Sequence, residues 1–214
     1  MSRQDPAAVL GRDVMHVVLG NLPARDLAVA GCVSKQWQSL CSEGFLWRRI
    51  CEDLWHGKVY VPQAAAGSEL SWRQRYEASL LDAARNDITT QELCTFSWTF
   101  RFKWLAGVFW TAQDPYWTRE GHMLRRFFHE SGSLTAAPSD PFWGHHECRW
   151  RFTKSKEGLR GHYVKVNHWP SLSISRTPSW GWRMENCWVV YEAELRPGGP
   201  YAAGPEGAAP PHQA

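Results

Sequence analysis

Some side chains in this sequence could do chemistry. His145-His146-Glu147-Cys148 sets two imidazoles, a carboxylate and a thiol in consecutive positions, all of them metal-capable. On a strand, however, adjacent residues point to opposite faces, so the four cannot meet one ion and no metal site is expected. Cys51 and Cys94 would be nucleophiles only beside a base, and the sequence shows none; buried, inert thiols are the expected state. The spacings of a nucleophile elbow, a zincin helix, a P-loop and a dinucleotide loop are not met. What remains are binders. Arg101, Arg125, Arg149 and Arg151 alternate with apolar residues, so on neighbouring strands they would form an outer basic stripe. Such a stripe suits an acidic or phosphorylated peptide, because a guanidinium holds phosphate bidentately; the plainer alternative is an ordinary solvated face. Trp180 and Trp182 flank Gly181 behind Pro178, a turn-like stretch that would leave two indoles exposed to a ligand or partner. No catalytic residue and no cofactor is expected.

The elements that would carry these residues fall into two kinds. In the first ninety residues the apolar period is helical: Val14, Val17, Val18 and Leu22 share one face. Leu22-Pro23 resets the chain into a second helix through Leu27, with Gly31 as its terminator. Ser34 is a fair N-cap for a third helix carrying Trp37, Leu40 and Cys41, and a fourth carries Leu46, Trp47, Ile50, Cys51 and Leu54. Residues 61–68 read as a loop, and Trp72, Tyr76 and Leu80, extended by Leu81 and Ala84, stripe a helix that ends near Asp87.

From Thr95 the period becomes two. Phe96, Trp98, Phe100 and Phe102 point one way, which for aromatic strands reads as core. Residues 124–129 and 133–135 form a hairpin around Gly132, and Cys148, Trp150 and Phe152 alternate with arginines. A turn at Lys156-Glu157-Gly158 and strands at 163–168, 172–175 and 188–195 complete a sandwich or barrel. The last residues, 196–214, are mostly Pro, Gly and Ala and are expected to be a disordered tail.

Length and composition bound the answer. At 214 residues the chain holds one or two domains. Its net charge of +3 is too small and dispersed for a dedicated nucleic-acid binder, and 43% hydrophobic with 21% charged residues is ordinary for a globular protein. No apolar run could span a bilayer and the N-terminus does not look like a signal peptide, so no membrane partner and a cytoplasmic and/or nuclear location are expected. The six cysteines form no C-x-x-C pair. Ten of the 14 tryptophans lie between Trp98 and Trp188, which sets the β part apart.

Residues 10–55 resemble the F-box. The likeness rests on the helix closing in Leu22-Pro23, on Arg25-Asp26-Leu27 opening the second helix, on Val33 and Trp37, and on Leu46-Trp47-Arg48-Arg49 at the end. The departure is Gly11, where the family commonly begins with Leu-Pro, so this end should be looser. The resemblance implies docking on the Skp-family adaptor, and through it on a cullin-RING ligase, with the rest of the chain holding an unknown protein substrate. The implied adaptor contacts are Leu10, Val14, Val17, Val18, Leu22, Pro23, Leu27, Val33, Trp37, Leu46 and Trp47, with Trp37 shared between the domain's own core and its partner face. Ser71 to Tyr76 looks like the helix that often follows an F-box, here a buttress between modules. Phe127-Phe128 and the segment around Trp150 are loosely similar to the antiparallel substrate domain of some F-box-only proteins.

The expected architecture is thus α+β. An F-box lies at 10–55, a linker and bridging helix at 56–90, a Trp-rich antiparallel β domain at 91–195 and a tail at 196–214. The expected function is a non-catalytic substrate-recognition subunit of an SCF-type ubiquitin ligase. The alternatives are a β domain that binds a small hydrophobic ligand or glycan, and a stand-alone enzyme whose F-box likeness is accidental.

Overall fold

The computed structural model describes residues 5–59, 61–62, 65, 69–138, 140–142, 147–153 and 160–195. The expected turn at 156–158, the pair His145-His146 and the expected tail at 196–214 lie outside them. The chain forms two compact units, 1–57 with 61–82 and 58–60 with 83–214. The fold is α+β.

The first unit is helical. Asp5 caps α1 (Pro6–Gly20) by accepting the Ala7 N–H at 2.9 Å, and Pro6 sits in the first turn. At Gly11 the backbone takes φ 73° and ψ 167°, a region open essentially to glycine alone, so the helix breaks and restarts there. Pro23 precedes α2 (Ala24–Ala30), and Ser34 caps α3 (Lys35–Cys41) by accepting the Trp37 N–H. In α4 (Gly44–Trp55) and α5 (Trp72–Ala83) the inward residues complete one core of Met15, Leu19, Leu27, Leu40, Leu46 and Trp47. Seven-residue helices are not stable alone, so this packing holds them.

α5 keeps Trp72 and Tyr76 against the core, as expected, and departs from expectation beyond them and in length. Ser79, not Leu80, is its buried residue, and Leu80 and Leu81 are exposed. The cause is polar: Trp55 Nε1 donates to Ser79 Oγ at 2.9 Å, and that hydroxyl donates to the Arg75 carbonyl at 2.8 Å. The helix ends at Ala83 instead of near Asp87.

The second unit is a closed barrel of β1 (Ser97–Phe102), β2 (Leu124–Phe128), β3 (Ser133–Ala136), β4 (Cys148–Thr153), β5 (Tyr163–Val166), β6 (Leu172–Arg176), β7 (Trp182–Glu185) and β8 (Val189–Glu194). Each strand pairs antiparallel with the next. β8 closes on β1 from Val189↔Phe102 to Glu194↔Ser97. Closure leaves no free edge in the ring, and it decides between the two expected forms in favour of the barrel. Period two places Phe96, Trp98, Phe100 and Phe102 inside, as expected. The rings meet edge to face, Trp98 with Phe128 and Phe128 with Trp150, each at 5.9 Å.

The same alternation buries Arg126 between Leu124 and Phe128 on β2. It forms a buried ion pair with Asp140, and its guanidinium lies 4.4 Å from the Phe100 ring centroid. Burial pulls its pKa down to about 10, against the raising influence of Tyr191, Cys148 and Asp114. The strand β7, the helix α6 (Thr90–Thr95) and the antiparallel pairing of Ile88–Thr89 with Arg160–Gly161 were not expected.

α6 carries a capping box: Glu92 accepts from the Thr89 N–H and hydroxyl, both at 2.9 Å, and Thr89 Oγ1 accepts the Glu92 N–H. Arg85 pairs with the same carboxylate. Burial pushes the Glu92 carboxyl up, but its bonds to Arg85 and Thr89 outweigh this and hold it below its ordinary 4.5. A depressed carboxyl stabilises the fold above its unfolded value and loses that contribution as pH falls through the folded one. Glu92→Gln should therefore cost about 2 kcal/mol at neutral pH. In urea melts as a function of pH, that difference should shrink as the pH is lowered past about 4.

Candidate functional site

In the first unit the helices cover only part of their apolar surface. Met15 and Leu19 face inward on α1, while Val14, Val17 and Val18, one helical face apart, point outward, with Val17 67% exposed. Leu10 on α1, Val29 on α2 and Val33 just beyond it are exposed as well. Leu22 is half-buried and Pro23 exposed. Phe45 is exposed and packs edge-on against His16 at 5.1 Å, beside a groove lined by Val17, Gly20, Leu46 and Arg49. Arg12 reaches Glu43 at 2.7 Å, which ties α1 to the start of α4.

Trp37 is half-buried, and its Nε1 donates to Asp5 Oδ1 at 2.8 Å. That bond, with the one from the Ala7 amide, holds the Asp5 carboxyl below its usual range. The indole thus joins α3 to the cap of α1. Three of the expected contacts need correction: Leu27, Leu46 and Trp47 are core residues, the first wholly buried. Trp47 is fixed beneath the surface, its Nε1 donating to the Cys41 carbonyl at 2.8 Å and its ring meeting Tyr76. They shape the face from behind.

In the second unit the expected basic stripe does not assemble. β3, which carries no arginine, lies between β2 and β4 and so parts Arg101 and Arg125 from Arg149 and Arg151. Arg125 pairs with Glu194 at 3.1 Å and Arg149 with Glu147 at 2.7 Å. Arg101 lies 4.4 Å from the Tyr116 ring centroid, and exposed Arg151 stands opposite Lys165. The two indoles expected at the surface are also corrected. Trp182 is fully buried with the Arg176 guanidinium 3.8 Å from its ring, and Trp180 is buried beside Lys58. Arg176 Nη1 donates to the Trp180 carbonyl at 2.7 Å, which closes the turn over both rings.

Residues 104–118 carry no strand alternation; their signal in the sequence is the apolar run Trp104-Leu105 and Val108-Phe109-Trp110 around Gly107. They form short helical turns with exposed large side chains. Among the described residues no group of three or more His, Cys, Asp and Glu is placed to hold a metal ion.

Residues 12–53 match the family model described as F-box-like. No curated protein matches the chain. The match begins immediately after the break at Gly11. Gly11→Ala should strain that break by about 1–3 kcal/mol. A lowered midpoint for the helical unit, with the barrel's midpoint unchanged, is the expected calorimetric result.

Proposed function

Because residues 12–53 of this chain are an F-box-like domain, we propose that it acts as a substrate receptor of an SCF-type ubiquitin ligase, docking by its helices and capturing a protein through its barrel. F-box domains generally bind Skp-family adaptors in cullin-RING ligases, and F-box proteins are typically non-catalytic adaptors. The observation that supports the docking half is the uncovered apolar face of Leu10, Val14, Val17, Val18 and Val33. A soluble monomer rarely exposes so many aliphatic side chains together without a partner for them. The adaptor contacts proposed are these five with Leu22, Pro23 and the outer edge of Trp37; Leu27, Leu46 and Trp47 act only by positioning them.

No reacting group is needed for this role. Ubiquitin transfer proceeds on other subunits, and the receptor's contribution is the effective concentration gained by holding two partners together. Among the described residues no helix is long and apolar enough to cross a membrane. A protein substrate is favoured over a sugar or small apolar ligand held inside the barrel because Trp98 and Trp182 are closed in by their neighbours and present no free ring face.

Val18→Asp and Val33→Asp change exposed residues and should leave the melting temperature within a degree or two. Each should weaken adaptor binding by about 100-fold or more, roughly 3 kcal/mol, since a carboxylate would be buried unpaired in the interface. Calorimetric titration of the adaptor into each variant checks this, and undiminished affinity in both would refute the docking face.

A further inference from the structure

Residues 103–123, between β1 and β2, leave the barrel and return as a rigid apolar platform. A turn at Trp104–Ala106, α7 (Val108–Thr111) and α8 (Pro115–Thr118) follow one another, with Gly107 at φ 98° and ψ 159° between the first two. Asp114 is fully buried and pins the insertion. Its Oδ2 accepts the Phe102 N–H at 2.6 Å, and its Oδ1 accepts the Tyr116 N–H at 2.9 Å. Trp117 Nε1 donates to the Phe102 carbonyl at 2.8 Å, and Trp110 stacks on the Phe102 ring at 5.2 Å. Little ordering remains to be done on binding.

Four residues of this fixed segment, Trp104, Leu105, Val108 and Phe109, are 66–73% exposed. Trp110, Tyr116, Trp117 and Met123 add 38–42% each. With about 150–250 Å² per large side chain, the uncovered area is roughly 700–1,000 Å². Within it the Trp104 and Tyr116 rings both meet Trp117, and Phe109 meets Trp110. The summed area approaches the ~800 Å² that each partner gives to a standard interface.

Charge at the margin selects the occupant. Lys103 and Arg125 are matched by Glu185 and Glu194. Arg101 lies against Tyr116 and acts on Glu185 only beyond ion-pair distance, and Arg119, exposed in the left-handed region at the end of α8, faces solvent; neither pairs directly with a carboxylate among the described residues. Of the segment's carboxylates, Asp114 is used within the fold, which leaves Glu120 at the surface. A second copy of the chain would bring these arginines toward one another.

We propose that this platform binds an apolar or aromatic peptide segment flanked by acidic residues, its side chains on Trp104, Leu105, Val108 and Phe109 and its carboxylates on Arg101 and Arg119. The inference deepens the receptor reading by naming the class of substrate segment, but the binding itself requires no adaptor.

The test is a selection from a random-peptide display library on the full chain. Enriched peptides should combine large apolar residues with an excess of Asp and Glu. Trp104→Ser with Phe109→Ser should lower their affinity by at least about tenfold while melting temperature and adaptor binding stay unchanged. Arg101→Gln with Arg119→Gln should remove the acidic preference and spare apolar binding. An unenriched library, enrichment without acidic bias, binding indifferent to the Trp104 and Phe109 changes, or a dimer in sedimentation that those changes disperse would each overturn the proposal. Val18→Asp should keep full peptide affinity. Peptide binding by the unaltered chain, if that chain fails to bind the adaptor, sinks the ligase reading alone.

Discussion

Short amphipathic helices have more apolar surface than they can hide from water among themselves. α2 and α3 are seven residues each, and they reach stability only by packing Leu27 and Leu40 against Met15, Leu19, Leu46 and Trp47. Once that core is full, the remaining valines of α1 and Val33 have nowhere to go. The residues that fold the unit and those that face outward are therefore neighbours on the same helices, one step apart in phase. A change on the inner stripe should unfold the unit, and one on the outer stripe should leave it folded.

The barrel solves a different problem. Its strands are short, and a linear meander that closes on itself gives every strand of the ring a neighbour on both sides. Among the described residues its interior takes aromatic rings in edge-to-face contact and a charged pair, Arg126 with Asp140. Removing one partner of such a pair strands a buried charge, so Asp140 is tightly coupled to β2. With the interior occupied and Arg125 and Arg149 neutralised by carboxylates, the greatest unspent apolar surface among the described residues of this unit lies on the insertion between β1 and β2.

Much of this was legible in the residues. Alternation announced β1, β2 and β4, the Ser34 cap announced α3, and the order of Leu22-Pro23, Trp37 and Leu46-Trp47 announced the F-box-like segment. What escaped has physical reasons. Beyond Tyr76, α5 turns Ser79 inward to a hydrogen bond from Trp55, which hydropathy does not record. α6 is a single capped turn whose box, Thr89 with Glu92, was present in the sequence but lay next to a much stronger strand signal. Trp180 and Trp182 were expected outside because they flank glycine in a turn; the covering groups, Arg176 and Lys58, are respectively near and far in sequence. Period two alone places Arg126 inward, whereas the basic stripe required knowing which strands are neighbours, and that is not written in any one strand.

Amide hydrogen exchange of the full chain, alone and saturated with a Skp-family adaptor, addresses the uncovered helical face most directly. The account requires new protection concentrated on the outer residues of α1 and on the α2–α3 junction around Val33, with the barrel's exchange unaltered. Protection confined to the barrel, or no change anywhere at saturating adaptor, would contradict it.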